Sequence, residues 1–250
     1  MRFKDKVAIV TGGGRDIGKS VSQYLAREGA SVVINYRSNR EEAERTLEEI
    51  TSQGGKAIIH QADVADAQAV AGLVAATTEA FGDRIDFVVN LAGGMVARKT
   101  LAEMDEAFFD HVMDLNLKSA FLVTKAALPH LGKGSAIVNV ASLAGRDGGG
   151  PGATVYATSK GALMTLTRGW AKELGPQGVR VNAVCPGLIG TSFHDIFSKP
   201  EGRAATANNT PLRREGHPDE VATTIGFLLS EDAAFLTGVN LDINGGLFFS

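Results

Sequence analysis

The stretch Val7-Ala-Ile-Val-Thr-Gly-Gly-Gly-Arg-Asp-Ile-Gly18 decides the fold. Four apolar residues in a row end at Thr11 and three glycines. A helical pattern then runs from Ile17 to Arg27, with Val21, Tyr24 and Leu25 on one face. A short unbroken apolar run reads as a strand covered on both faces, as in a parallel sheet. Strand, glycines, helix is also the layout of a phosphate-binding turn. Glycine lets a ligand approach the backbone, and a helix start offers free N–H groups and the positive end of the helix dipole. An ordinary β–α turn would share this composition, so position after the first strand is what favours nucleotide binding.

The alternation continues outward. Strand patterns recur at Ser31–Ile34, Lys56–Ile59, Ile85–Val89, Ser135–Val140, Val179–Val184 and Val239–Ile243. Helical patterns lie at Glu41–Ser52, Ala67–Phe81, Val155–Leu174 and Pro218–Leu229, and a bent or interrupted one from about Asp105 to Leu131. Right-handed crossovers between such strands predict an α/β fold. It is one Rossmann-type doubly wound domain over residues 1–250, with about seven parallel strands and helices on both faces. No linker or repeat divides it. The stretch from about Gly190 to Leu212, rich in Pro, Asn, Thr and Lys, reads as a mobile substrate loop.

Composition narrows the function classes. Of 250 residues, 44% are apolar and 21% charged, and the net charge is -3 without long runs of one sign, which argues against nucleic acid as a partner. A single cysteine, Cys185, precludes an intrachain disulfide and a cysteine zinc site, and the five histidines are scattered, so no metal is expected. No apolar run approaches the ~20 residues that span a bilayer, and no signal peptide precedes the first strand. A cytoplasmic location is the expectation.

The chemistry-bearing pattern is Tyr156-Ala-Thr-Ser-Lys160. A spacing of four puts both side chains on one helix face. A phenol titrates near ~10, too high for easy proton exchange at neutrality; a neighbouring ammonium is expected to lower that value and make Tyr156 a general acid or base. By itself the pattern also describes a surface tyrosine beside a lysine.

With these motifs in this order, the chain resembles the classical short-chain dehydrogenase/reductase family from Lys6 to about Gly246. The family's T-G-x-x-x-G-x-G turn is matched at Thr11, Gly12 and Gly18, with Arg15 and Ile17 on the same turn. Asp16 stands in place of the middle glycine, where a carboxylate would repel a pyrophosphate; it is expected to cap the helix and face away. The resemblance implies Ser142 as the hydroxyl that binds the substrate oxygen and Asn116 as support for a water in a proton relay. Asp63 and Val64 would meet the adenine. Asn90, Ala92 and Gly93, with Leu91 replacing a usual Asn, would line the cofactor, and so would Pro186, Gly187 and Thr191. The residues after the second strand, Asn35-Tyr36-Arg37-Ser38, hold no acid for a ribose 2′-hydroxyl, and Arg37, Ser38 and Arg15 suit a 2′-phosphate. NADP(H) is favoured, with NAD(H) possible.

The implied reaction moves hydride between nicotinamide and a carbonyl or alcohol. The arginines that would dock an acidic carrier protein are missing near His130–Lys133 and Gly175–Gly178. That favours a small polar substrate, such as a sugar, keto acid or uronate derivative, over the alternative of a 3-oxoacyl-carrier-protein reductase. Arg146 and His194 are candidates to reach it, or are plain loop residues. A non-catalytic cofactor-binding protein and a structural protein using the fold for assembly are the readings from other classes. A homotetramer is implied, with Trp170 and Phe248-Phe249 as possible subunit contacts and core burial as the alternative for Trp170.

Overall fold

The structure is a computed structural model describing residues 1–250. Seven strands form one parallel sheet: β1 (Val7–Val10), β2 (Ser31–Tyr36), β3 (Lys56–Gln61), β4 (Phe87–Asn90), β5 (Ala136–Val140), β6 (Arg180–Pro186) and β7 (Asn240–Ile243). Their order is β3-β2-β1-β4-β5-β6-β7, and every pairing is parallel. The winding therefore reverses between β1 and β4. At such a point two crossovers depart to opposite sides and leave a crevice beyond the carboxyl ends of the strands.

Ten α-helices connect the strands: α1 (Asp16–Arg27), α2 (Arg40–Ser52), α3 (Ala67–Phe81), α4 (Glu106–Met113), α5 (Ser119–Ala127), α6 (Ala144–Asp147), α7 (Thr154–Leu174), α8 (Ser192–Phe197), α9 (Pro200–Asn209) and α10 (Pro218–Leu229). Successive strand side chains serve opposite cores. Ala8, Val10, Val32 and Ile34 join one cluster with Leu25 of α1 and Ile225 of α10. Ile9 and Val33 join the other with Leu73 of α3, Val123 of α5 and Leu174 of α7. Each such fully buried aliphatic contributes roughly 1.5–3 kcal/mol. No helix is long and apolar enough to cross a membrane.

One segment takes a form that the sequence left open, and one differs from the sequence reading. The interruption expected between Asp105 and Leu131 is a π-helical turn, Asp114–Lys118, set between α4 and α5. The stretch 190–212, read as a loop, folds into α8 and α9. Neither helix has a fully buried residue; α8 does carry Phe193, Ile196 and Phe197 at helical spacing, a signal only six residues long, whereas α9 has no such stripe. Pro200, which looks like a breaker, is the first residue of α9, where proline's fixed φ and missing N–H cost nothing.

Candidate active site

The carboxyl ends of the strands open on a crevice of about 1510 Å³. That exceeds the roughly 300–1,000 Å³ of ordinary small-ligand pockets. Of the sequence candidates, Gly12, Arg15, Asp16, Ile17, Arg37, Ser38, Asp63 and Val64 line one end. Ala92, Gly93, Ser142, Tyr156, Lys160, Pro186, Gly187 and Thr191 line the rest.

The glycine-rich turn is held from beneath. Thr11 accepts hydrogen bonds from the Leu91 and Ala92 N–H groups at 2.9 and 3.0 Å. Asn35 accepts from the Gly12 N–H at 3.2 Å and donates to the Ala62 carbonyl at 3.0 Å. Asn35 was not singled out in this role; an amide inside an apolar strand was its only signal. Gly18 does not line the crevice. It lets the helix close on the turn, since a Cβ there would sit 2.0 Å from the Gly12 carbonyl oxygen.

The start of α1 has no side-chain cap. Asn39, Asp66, Asp105 and His217 do cap α2, α3, α4 and α10. An uncapped helix start facing a polar crevice leaves N–H donors for an anion. With Arg15 and Arg37 beside it, this is a fitting seat for a dinucleotide pyrophosphate and phosphate. Asp16 is therefore corrected: it does not cap α1. It sits at φ 48°, in the left-handed region, and accepts hydrogen bonds from the Ser192 N–H at 3.0 Å and the Ser192 hydroxyl at 2.5 Å. Left-handed backbone costs a non-glycine residue roughly 1–2 kcal/mol, least for Asp and Asn. Two hydrogen bonds to a carboxylate, at roughly 1.5–3 kcal/mol each, exceed that cost.

The catalytic candidates converge on the centre of the crevice. Tyr156 and Lys160 sit one turn apart on α7, both buried, with the Lys160 amine 5.8 Å from the Tyr156 ring centre. Ser142 reaches them because α6 and α7 touch without side chains; a Cβ on Gly145 would lie 2.8 Å from the Gly161 nitrogen. The expected acidification of Tyr156 by Lys160 is not found. Burial pushes the phenol up, hydrogen bonding to Ser142 opposes this, and Lys160 adds no compensating pull. The Lys160 amine instead donates to the Val140 carbonyl at 2.7 Å. Burial lowers it to about 8, opposed by Cys185. The spacing was legible; the desolvation was not. Cys185 itself is buried and pushed up to about 12, chiefly by that burial.

Three other candidates move off the crevice wall. Asn116 lies in the π-helical turn and clamps Gly94, donating to its carbonyl at 2.8 Å and accepting from its N–H at 2.9 Å. It donates to the Val112 carbonyl as well. Its amide supports the loop over the site rather than lining it. Asn90 points inward, donating to Thr124 and Asn139, while Asn139 donates to Thr167 of α7. This buried chain ties β4, β5, α5 and α7 together under the floor. Arg146 bonds Asp242 and the Asn240 carbonyl, beside β7, and does not line the crevice.

His194 does line it. Its ring bonds the Ser198 hydroxyl at 2.9 Å, and burial lowers its pKa, with Arg203 adding to the shift. Sequence reasoning missed the apolar wall at this end: Met95, Leu143, Phe193, Ile196 and Phe197. Phe193 stands 5.8 Å from Tyr156 and 5.0 Å from Phe197, ring centre to ring centre. Val96, on the same wall, takes φ 65° at the middle of a tight turn closed by Ala97 N–H to Met95 carbonyl at 2.8 Å.

Comparison with known proteins agrees with this geometry. Residues 12–248 match the family model described as enoyl-(acyl carrier protein) reductase. An uncharacterized oxidoreductase of Methylorubrum extorquens is 39% identical, over 98% of this chain and 99% of its own length. The 3-oxoacyl-[acyl-carrier-protein] reductase of Staphylococcus aureus is 37% identical over 97% and 98%. A short chain dehydrogenase from Burkholderia cenocepacia, crystallised in complex with NADP, superposes with a TM-score of 0.93 at 34% identity, covering 99% of both chains. Parallel winding, a crevice at the switch point, a tyrosine and lysine one helical turn apart, and these relatives along the whole chain together place it in the short-chain dehydrogenase/reductase family of NAD(P)-dependent oxidoreductases.

Proposed function

We propose that this chain reduces the carbonyl of a small polar substrate, or oxidises the matching alcohol, with NADP(H) preferred. The observation that carries this reading is the meeting of Tyr156, Ser142 and Lys160 in the crevice whose other end holds Arg15, Arg37 and Ser38. A bound nicotinamide supplies or accepts the hydride. The chain's own groups do the rest. Tyr156 gives a proton to the substrate oxygen, or takes one from the alcohol. Ser142 donates a hydrogen bond to that oxygen and steadies the charge it develops. Lys160 places a cation beneath the phenol. Asn116 holds Gly94 in place, and Thr191, Pro186 and Gly187, which line the crevice, would hold the nicotinamide end.

No acid partners Arg37, which leaves its charge for a 2′-phosphate. Glu42 favours the second reading, use of NAD(H): it lines the same end, and one of its carboxylate oxygens is buried without a hydrogen-bond partner. At the substrate end two arginines differ. Arg203 is neutralised by Glu215 and Asp195. Arg98 donates only to the Phe197 and Pro151 carbonyls and keeps its charge. A keto acid or other anion-bearing carbonyl fits Arg98 best. The apolar wall at Met95 and Phe193 favours a 3-oxoacyl thioester as the alternative.

A mobile 190–212 segment, a cytoplasmic location and a homotetramer belong to the same proposal. Phe121 on α5 and Phe249 at the end of the chain offer exposed apolar contacts for the last of these. The deciding experiment is a panel of keto acids, sugars and acetoacetyl thioester, each assayed with NADPH and NADH. Faster turnover of keto acids with NADPH supports the proposal. Turnover confined to the thioester selects the alternative, and no turnover with any carbonyl leaves the non-catalytic reading.

A further inference from the structure

Asp16 and Ser192 are 176 residues apart, yet they join the two walls of the crevice. Asp16 stands on the turn that opens α1. Ser192 is the first residue of α8, next to Thr191 and Phe193. α8 has no buried residue to hold it down. Its carboxyl end is held by Arg98, which donates to the Phe197 carbonyl at 3.0 Å. Its amino end is held by Asp16, through both the N–H and the hydroxyl of Ser192. A glycine would sit at φ 48° without strain. The aspartate gives up that ease, and its carboxylate is aimed across the crevice.

We propose that Asp16 is a positioning residue that latches α8 over the dinucleotide seat and sets how fast the dinucleotide leaves. The inference rests on the dinucleotide reading of the crevice. With the latch made, Thr191 and Phe193 stay over the Tyr156 end, and the seat between the α1 turn and α8 is roofed. With it broken, α8 keeps Arg98, the Arg203–Asp195 pair and the packing of Phe193 and Phe197, and its amino end loses the tie to the α1 turn.

The test uses the full chain and four variants: Asp16→Gly, Asp16→Asn, Ser192→Ala and the double change Asp16→Gly with Ser192→Ala. Release of NADPH and of NADH is followed by stopped-flow fluorescence, dissociation constants by fluorescence titration, and amide hydrogen exchange over 190–198 without any ligand. Loss of one charge-assisted hydrogen bond predicts about tenfold faster release. Ser192→Ala, which loses only the hydroxyl bond, should show it, and Asp16→Gly, which loses both bonds, should exceed it, together with faster exchange in α8. Asp16→Asn, which keeps an oxygen acceptor for Ser192 but loses the charge, should fall between Asp16→Gly and the parent. The double variant should match Asp16→Gly, because both changes break the same contact. A purely structural aspartate would lower thermal stability and leave release unchanged. Unchanged release, unchanged exchange, or additive effects in the double variant would each overturn the latch. If the parent chain binds neither dinucleotide, the nucleotide reading fails along with it; binding with unaltered release in the variants removes the latch alone.

Discussion

Helices α7 and α8 touch across the crevice through Tyr156 and Phe193, and they are held by different means. Ten of the 21 residues of α7 are buried, and its site-bearing turn rests on β5 through Lys160 and the Val140 carbonyl. α8 buries none of its six, nor α9 any of its ten. A few named bonds hold them: Asp16 to Ser192, Arg98 to Phe197, and Arg203 to Asp195 and Glu215. Groups that transfer a proton need fixed geometry, and burial on a packed helix supplies it. Groups that admit and select a substrate must move aside, and a helix tied by polar contacts opens more cheaply than a packed one. On the proposed function, the floor serves the chemistry and the roof the entry of substrate.

Changing the floor should have the larger effect. Tyr156→Phe keeps the ring, its contact with Phe193 and the crevice shape, and removes only the transferable proton. Turnover should drop by about 10²–10⁴-fold while dinucleotide affinity holds. Steady-state kinetics beside a binding titration would show it, and near-normal turnover would move the chemistry elsewhere.

Lys160 tests the floor through pH. Its folded-state pKa is about 8 against an ordinary 10.5, because burial penalises the ammonium. Between those values the unfolded chain binds a proton that the folded chain does not. This group therefore makes stability rise with pH across that window, and weighs against folding below it. Lys160→Met removes the titration. The stability of the variant relative to its parent should be greatest near pH 7 and should shrink as pH climbs from 8 towards 10.5. Thermal melts across that range would read it, and a difference independent of pH would mean that the amine is not desolvated.

The roof should give the smallest effect. Phe193→Ala removes one ring contact with Tyr156 and one with Phe197. Substrate KM should rise about tenfold, from the lost aromatic contact and area, with kcat nearly unchanged. An equal fall in kcat would show that the roof also aligns the reacting atoms, and the contrast with α7 would break down.

The floor was also the part that could be read in advance. β1, α3 and α10 fall on the residues that their patterns mark: glycines follow β1, Asp66 and Gly82 bracket α3, and Pro218 opens α10. Tyr156, Lys160 and Ser142 meet as their spacing implies. α9 has no apolar stripe for periodicity to find, and on α8 the stripe of Phe193, Ile196 and Phe197 is too short to stand out among the polar residues around it. Long-range pairing was equally hidden. Arg146 is taken by Asp242, 96 residues away, and Asp16 by Ser192; in both cases a local reading offered a different partner. Asn90 was assigned to the crevice with Ala92 and Gly93 through the family's N-N-A-G stretch, but it is the last residue of β4 and its amide is taken by Thr124 and Asn139 beneath the floor, whereas Ala92 and Gly93 lie beyond the strand.

The π-helical turn at Asp114–Lys118 has a bearing on what lengths of chain this protein tolerates. It holds one residue more than an α-helical path over the same span would need. Deleting a single residue there would restore α-helical winding without breaking the helix. The helices on either side would keep their register, so Val123 would stay in the core beside β4. Only the bulged turn itself would be redrawn, and Asn116 would lose its reach to Gly94. The extra residue thus works as a spacer in the helix, and a shortened chain would keep its helical content while losing the clamp on Gly94.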